Sequence, residues 1–343
     1  MGAVREVSIK LADGRSLTYF GERPARPHDY PDRRDLPVVH VTSEARCDQV
    51  LDEWVVIASH RQDRTFQPSD DQCPLCPSSP GHLTEIPAPE YDVVVFDNRF
   101  PTLRDPGHCD VVVFSDDHNA SFADLTTAQA RIVMAAWVDR SAALAARPDV
   151  EQVYCFENRG AEIGVTLSHP HGQIYAYPFV TPRTSRMLHN AARHRLATGR
   201  NLFDDAVARE VAEADRVVLN GEHWVGFVPY AAHWPYEVHL YPRQRVPDLA
   251  TLPEAARDEF CVLYLDLLGR FDRLFGVPAP YISAWHQAPV RGASEEFALH
   301  LELFTIRRAA NKLKYLAGSE SGMGAFANDI APEAAAQRLR ELA

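Results

Sequence analysis

No stretch of this 343-residue sequence approaches the roughly 18–20 consecutive apolar residues that a membrane-spanning helix needs. The segment Met1–Arg15 is charged where a secretory leader would be apolar, so a cytoplasmic location is expected. Positive charge is also scarce. Thirty-five Lys and Arg stand against 47 Asp and Glu, a net charge of −12, which repels polyanions and excludes a general nucleic-acid binder. A small anion held by a few local arginines remains allowed. Six cysteines, at 47, 73, 76, 109, 155 and 261, are too few for a disulfide scaffold at this length. What is present is ordinary for a globular chain, 46% hydrophobic and 24% charged. At roughly 100–200 residues per domain, the length favours two domains or one large duplicated one.

The first 45 residues carry Pro24, Pro27, Pro31 and Pro37 among many charges and read as an extended arm with short strands; a compact unit is expected to begin at Glu53-Trp54-Val55-Val56-Ile57. Strand candidates follow at 91–96, 110–114 and 152–156. Between the second and third, the capping box Thr126 to Gln129 opens a helix with Val133, Trp137 and Leu144 at helical spacing. The second half repeats this order. Strands near 223–228 and 237–241 precede Asp248-Leu249 and a second capping box, Thr251 to Glu254. A helix burying Phe260, Leu263, Leu267, Phe271 and Leu274 comes next, then strands at 281–285 and 297–304. An α+β fold is predicted, of two duplicated halves, 1–185 and 186–343, with antiparallel sheets and packed helices. The basic segment Arg183 to Arg200 between them reads as a solvated helix or linker.

The richest stretch is Ser168-His169-Pro170-His171-Gly172-Gln173-Ile174-Tyr175-Ala176-Tyr177. As a strand, it puts His169, His171 and Gln173 on one face. Pro170 cannot donate a ladder hydrogen bond, which confines the stretch to a strand start or a sheet edge, where a substrate can approach. In the preceding loop, Gly160 and Gly164 permit a backbone geometry that brings N–H groups to an anion, and an imidazole beside such a nest can attack phosphorus. Cys73-Pro74-Leu75-Cys76 lies among turn residues instead of opening a helix after a strand, which favours zinc over redox chemistry. His118 and His169 are the candidates to complete a closed Cys2His2 site. His60-Arg61-x-x-Arg64 offers two guanidiniums three apart, able to fork onto phosphate oxygens.

Taken in order, Glu53-Trp54-Val55, His60-Arg61-x-x-Arg64, Cys73-x-x-Cys76, Phe96-Asp97-Asn98-x-Phe100-Pro101, Phe114-Ser115-x-Asp117-His118, Phe156-Glu157-Asn158-x-Gly160 and His169-Pro170-His171-Gly172-Gln173 resemble the galactose-1-phosphate uridylyltransferase family of the histidine-triad superfamily. The likeness continues through His223-Trp224, Val228-Pro229-Tyr230, Trp234-Pro235-Tyr236-Glu237, Trp285-His286-x-Ala288-Pro289 and Lys314-Tyr315. The resemblance implies a ping-pong exchange: UDP-glucose gives its uridylyl group to a histidine, glucose 1-phosphate leaves, and galactose 1-phosphate takes the group as UDP-galactose. By that match His171 is the nucleophile, and Gln173 and Thr166, the latter at a position usually serine, bind phosphoryl oxygens. Arg61 and Arg64 neutralise phosphate charge, and Phe96, Asn98 and Asn158 contact the nucleotide. Zinc on Cys73, Cys76, His118 and His169 is implied to be structural. A homodimer is implied too, in which Lys314, Tyr315 and Glu320 reach the partner's site.

The chain departs from the family in places. Of a second metal site made from one glutamate and three histidines, only His286 and His300 persist. Glu302 stands at the remaining histidine and Met187 at the glutamate, so a second metal is not carried over. Arg99 follows Asn98 where an aspartate is common, and Gly322-Met323-Gly324 replaces a glutamine-bearing stretch after Glu320. Three other readings stay open. An ADP-glucose phosphorylase of the same superfamily would more often have serine at Gly172. A non-catalytic nucleotide-binding protein has no need of the His-Pro-His-Gly-Gln run. A hydrolytic zinc enzyme would use His171 as a ligand.

Overall fold

The structure, a computed structural model, describes residues 4–22, 29–37, 43–63 and 68–343. These form two compact units. The first comprises 1–155, 166–186 and 289–292, and the second 156–165, 187–288 and 293–343.

In the first unit, β1 (Arg5–Lys10), β2 (Ser16–Gly21), β5 (Val93–Asp97), β6 (His108–Val113), β7 (Gln152–Arg159, of which Gln152–Cys155 belong here) and β8 (His171–Tyr177) form one sheet; β3 (Glu44–Asp48) and β4 (Glu53–Ile57) form a separate hairpin. The sheet order is β1-β2-β5-β6-β8-β7, with antiparallel pairing from β1 through β8. Both faces are covered, which is why β5 reads as the continuous apolar run Val93-Val94-Val95-Phe96. One face carries α1 (Thr127–Ala145). Its N-terminus is the expected capping box: Thr126 Oγ1 accepts from the Gln129 amide at 3.2 Å, and Gln129 Oε1 accepts from the Thr126 amide at 2.9 Å. The other face packs Tyr19, Val94, Phe96, Val111 and Val113 against Cys73, Leu75, Ile86 and Tyr91 from the loop before β5.

Two expectations for the N-terminal region need correction. Leu17, Tyr19 and Phe20 are buried in a sheet strand, so β1 and β2 are no arm. The strand at Glu53–Ile57 exists but does not begin the compact unit, since it pairs only with β3 and leaves Trp54, Val55 and Ile57 exposed. An apolar run shows that a strand is favoured and not which sheet it joins.

The second unit takes α2 (Pro182–Thr198) from Met187 onward, then α3 (Leu202–Glu213), β9 (Val217–Asn220), β10 (Trp224–Phe227), β11 (Tyr236–Pro242), α4 (Glu254–Arg273), β12 (Tyr281–His286) and β13 (His300–Thr305), with sheet order β12-β13-β11-β10-β9. α4 buries Phe260, Leu267 and Phe271, each worth about 1.5–3 kcal/mol. The second capping box does not form. Thr251 Oγ1 bonds Asp248 Oδ1 at 3.0 Å, and the helix starts behind Pro253, which carries no side-chain cap.

The duplication is visible in the topology. In the first unit β5, β6, α1, β7 and β8 give the sheet order β5-β6-β8-β7; in the second β10, β11, α4, β12 and β13 give β10-β11-β13-β12. The α+β class predicted from sequence, with antiparallel sheets and packed helices, is the class observed. The correspondence reaches single residues. His171 and His300 each open the fourth strand of their set, and each turns Nδ1 to the carbonyl oxygen two residues back, at 2.8 Å.

Candidate active site

His171 sits at the start of β8 beside a cleft of the first unit that is also lined by Arg61, Phe96, Asn98, Thr166 and Gln173. Pro170 falls just before the strand, which satisfies one alternative drawn from it. The other fails: β8 lies between β6 and β7, with His171 opposite Val113 and Gln173 opposite Val111. The substrate face is therefore the face of a central strand. The Pro170 carbonyl still accepts from the Phe114 amide at 3.1 Å, so only the missing N–H had to fall outside the ladder.

The His171 ring has a fixed tautomer. A carbonyl oxygen only accepts, so Nδ1, 2.8 Å from the His169 oxygen, carries the hydrogen and Nε2 keeps its lone pair. Burial lowers the pKa of this imidazole, and the His169 hydrogen bond only partly opposes that, so the ring is held neutral. Arg61, on the short helical turn Ser59–Asp63, donates from Nη1 to Thr102 Oγ1, which lies 2.8 Å from the Tyr175 hydroxyl. Its Nε is buried with no hydrogen-bond partner among the described residues. Asn98 accepts from the Phe100 amide at 2.8 Å through Oδ1, which leaves its NH2 group to other partners. Arg64 lies outside the described residues.

Cys73, Cys76, His118 and His169 converge, with one donor atom from each within 4.8 Å of all the others. Cys76 Sγ is 3.3 Å from His118 Nδ1 and 3.5 Å from His169 Nδ1. His169 Nε2 faces the Ser115 carbonyl at 2.8 Å and carries the hydrogen, so Nδ1 turns its lone pair inward. His118 Nε2 meets Asp70 at 3.2 Å and Ser168 at 3.1 Å. Burial and the neighbouring Cys73 push the Cys76 thiol up to about 12, while burial pushes His169 down to about 4. A cation among these donors reverses that preference for the thiol, and the set fits zinc by ligand type and arrangement.

Several predicted residues lie elsewhere. Asn158 is half-buried on the part of β7 that belongs to the second unit, with the Gly160–Gly164 loop. Gly160 has φ +105°, and a Cβ there would stand 2.8 Å from Pro280 Cβ. The Gly164 amide is spent on the Ala161 carbonyl. These glycines thus answer to backbone shape and close packing. Lys314, Tyr315 and Glu320 also belong to the second unit: Lys314 and Glu320 are buried as an ion pair and Tyr315 is exposed. Sequence reasoning missed Thr102, Tyr175, Glu85 and the apolar walls Leu75, Val111 and Leu167. Alternation along β6 could have found Val111; nothing local marks Glu85.

Two family models match in tandem. The N-terminal domain of galactose-1-phosphate uridyl transferase covers residues 104–181, and the C-terminal domain covers 185–343. The galactose-1-phosphate uridylyltransferase of Streptomyces lividans is 53% identical, over 99% of this chain and 98% of its own length. The chain belongs to the galactose-1-phosphate uridylyltransferase family. It is therefore a transferase. The family member from Thermotoga maritima is 36% identical over 87% of this chain and 98% of its own. A solved uridylyltransferase superposes with a TM-score of 0.78 at 29% identity, covering 87% of this chain and 98% of that one. An ADP-glucose phosphorylase from Arabidopsis thaliana shares the fold, with a TM-score of 0.70 at 22% identity over 88% of this chain and 99% of its own.

The second unit holds another convergent donor set. His286, His300 and Glu302 present atoms within 4.8 Å of one another, and Glu237 and His239 adjoin Glu302. Glu302 lies 3.4 Å from His286 Nε2 and 3.5 Å from His300 Nε2. Burial pushes His300 down to about 4. By donor type and spacing these three residues fit a small cation. Met187 packs instead with the apolar group around Ala191, Phe203 and Phe297.

Proposed function

We propose that this transferase moves the uridylyl group of UDP-glucose to galactose 1-phosphate through a covalent uridylyl-histidine at His171. The observation that carries the proposal is the orientation of His171, whose Nε2 lone pair is freed by the Nδ1 bond to His169, beside a cleft shared with Arg61 and Gln173.

In the first half-reaction Nε2 attacks the α-phosphorus of UDP-glucose. The bond from that phosphorus to the bridging oxygen breaks, and its electron pair leaves with glucose 1-phosphate. In the second, a phosphate oxygen of galactose 1-phosphate attacks the same phosphorus and the N–P pair returns to Nε2. A neutral imidazole suits both steps, since it attacks without deprotonation and departs without protonation. Arg61, with its unpartnered Nε, and Gln173 and Thr166 at the same cleft supply donors for phosphoryl oxygens, where the fixed charges act most strongly. Arg64 belongs to the same role by its spacing from Arg61. Phe96 and Asn98 are assigned to the nucleoside; the nucleotide contact that the resemblance implies for Asn158 is kept as an expectation for that residue alone.

Zinc is proposed on Cys73, Cys76, His118 and His169, which would hold it as a structural cross-link. These residues would then tie down the loop that forms one wall of the cleft, through Pro74 and Leu75. The two halves, 1–185 and 186–343, are taken as histidine-triad-like units. A homodimer is supported by the exposed Trp54, Val55 and Ile57 in one unit and Tyr315, Leu316 and Met323 in the other. In it the Lys314–Glu320 pair would hold the segment from which Tyr315 reaches the partner's site. Among the described residues no helix is long and apolar enough to cross a membrane, which agrees with a cytoplasmic enzyme.

The test is intact-protein mass spectrometry after brief mixing with UDP-glucose, on the wild type and on His171→Asn. The expected result is one added uridylyl group, absent from the variant and discharged by galactose 1-phosphate. An adduct formed only from ADP-glucose and discharged by phosphate would overturn the substrate assignment. No adduct from either would overturn the covalent route.

A further inference from the structure

Among the described residues the cleft beside His171 contains one carboxylate, Glu85, and its surroundings are unusual. Glu85 is 6% exposed and meets three guanidiniums. Arg15 Nη2 lies 2.5 Å from Oε2 and Arg34 Nη1 lies 2.9 Å from Oε1. Neither arginine lines the cleft, and each has a second carboxylate, Asp13 and Asp32 respectively. The third, Arg99, lines the cleft, is one-third exposed, and stands 3.5 Å from Oε1, beyond hydrogen-bonding distance. Each carboxylate oxygen accepts two hydrogen bonds. Oε1 is thus held on the protein side by Arg34 and keeps acceptor capacity on the side of Arg99 and the cleft. The Glu85 amide donates to the Pro74 carbonyl at 2.9 Å, which ties the residue to the Cys73–Cys76 loop.

Glu85 is also placed at the far end from the reacting atom. Gln173 pairs with Val111, Val111 with Phe96 and Phe96 with Leu17. At about 4.8 Å per strand, the Phe96 row lies roughly 10 Å from β8. Arg15 bridges the Asp97 carbonyl, just past that row, to Glu85. That offset matches the span of a nucleoside whose phosphorus sits at His171, and Phe96, Leu75 and Val111 supply apolar walls on the way.

We infer that Glu85 is a specificity-determining residue that accepts a hydrogen bond from the nucleoside of the bound nucleotide sugar, from a ribose hydroxyl or the imide N–H of the base, with Arg15 and Arg34 as its fixed support. This rests on the nucleotide-sugar reading above. An acceptor-only group with its charge already balanced disfavours a nucleoside lacking the matching donor, since the donor's loss leaves the remaining acceptor position of Oε1 unfilled beside the ligand.

The experiment compares kcat/KM of the full-length enzyme for UDP-glucose, 2′-deoxy-UDP-glucose and N3-methyl-UDP-glucose, in the wild type, Glu85→Gln and Arg99→Ala. Wild type is expected to lose at least tenfold with one analogue, which identifies the donor. Glu85→Gln should lose a similar factor toward UDP-glucose, mainly in KM, and show little further loss with that analogue. Arg99→Ala removes no buried contact and should keep the discrimination. Wild-type rates within twofold for all three donors overturn the assignment, whether or not the Glu85 variant folds. Discrimination lost in Arg99→Ala and kept in Glu85→Gln overturns it too. Absence of any exchange with UDP-glucose overturns the substrate reading and this assignment together.

Discussion

Replacing Glu157 by glutamine is expected to make the protein more stable at neutral pH and to remove part of its pH dependence. Glu157 follows the midpoint of β7 and precedes Asn158. Its Oε1 accepts from the Tyr281 hydroxyl at 2.9 Å, and its Oε2 is buried with no hydrogen-bond partner among the described residues. Burial raises the carboxyl from 4.5 to about 8, against the smaller opposing effects of Tyr281 and Arg159. Between these two values the native state holds a proton that the unfolded chain has released. The stabilisation is complete below pH 4.5, falls as pH rises, and is gone above about 8. The slope for one such group is about 1.4 kcal/mol per pH unit, or roughly 2.7 kcal/mol between pH 5.5 and 7.5. Glutamine keeps an acceptor for Tyr281 and carries no such slope. Urea unfolding of both proteins across this range, followed by tryptophan fluorescence, should show the wild type falling relative to Glu157→Gln by about that amount. A difference between the two that stays constant within about 0.5 kcal/mol, the size of ordinary surface effects, would refute the reasoning.

Two further outcomes are expected. Metal analysis should find zinc bound in the wild type, and Cys76→Ser should lose it together with several degrees of thermal stability, because the Cys73–Cys76 loop packs on the sheet through Cys73 and Leu75; retention of full zinc content would remove Cys76 from the ligand set. Arg61→Gln should lower kcat/KM about a hundredfold with an unchanged circular dichroism spectrum, since Arg61 lines the cleft beside His171 and is proposed there as a phosphate contact, and a loss below threefold in steady-state assays would show that Arg61 is not a phosphate contact.

Much of the chemistry was legible because it depends on residue type at short spacing. Cys73-x-x-Cys76 and the Thr126 capping box each act within a few residues, and the structure assembles them as the spacing suggests. The single strand face expected for His169, His171 and Gln173 is not formed, because β8 begins only at His171 and His169 turns to the metal donors while His171 and Gln173 line the cleft. The Pro253 start of α4 was misread because Thr251 had a closer partner in Asp248, and local competition between hydroxyl acceptors leaves no mark in a motif. The role of β8 was misread for a related reason. Its proline fixes where the strand can begin, while one of its two neighbours, β6, comes from more than fifty residues away in sequence.

The sequence by itself determined the α+β class, the duplicated order of elements and the candidate metal-ligand types, because periodicity, turn chemistry and donor chemistry are local properties of the chain, and the candidate nucleophile came from the family resemblance of its motifs. Only the tertiary structure decided which ring nitrogen of His171 is free, which carbonyl orients His169, and that Glu85 and Arg99 share the cleft with Arg61. Each of those facts depends on bringing together groups that are distant in the chain, or on backbone direction at a strand end, and a buried hydrogen bond has no counterpart in sequence spacing.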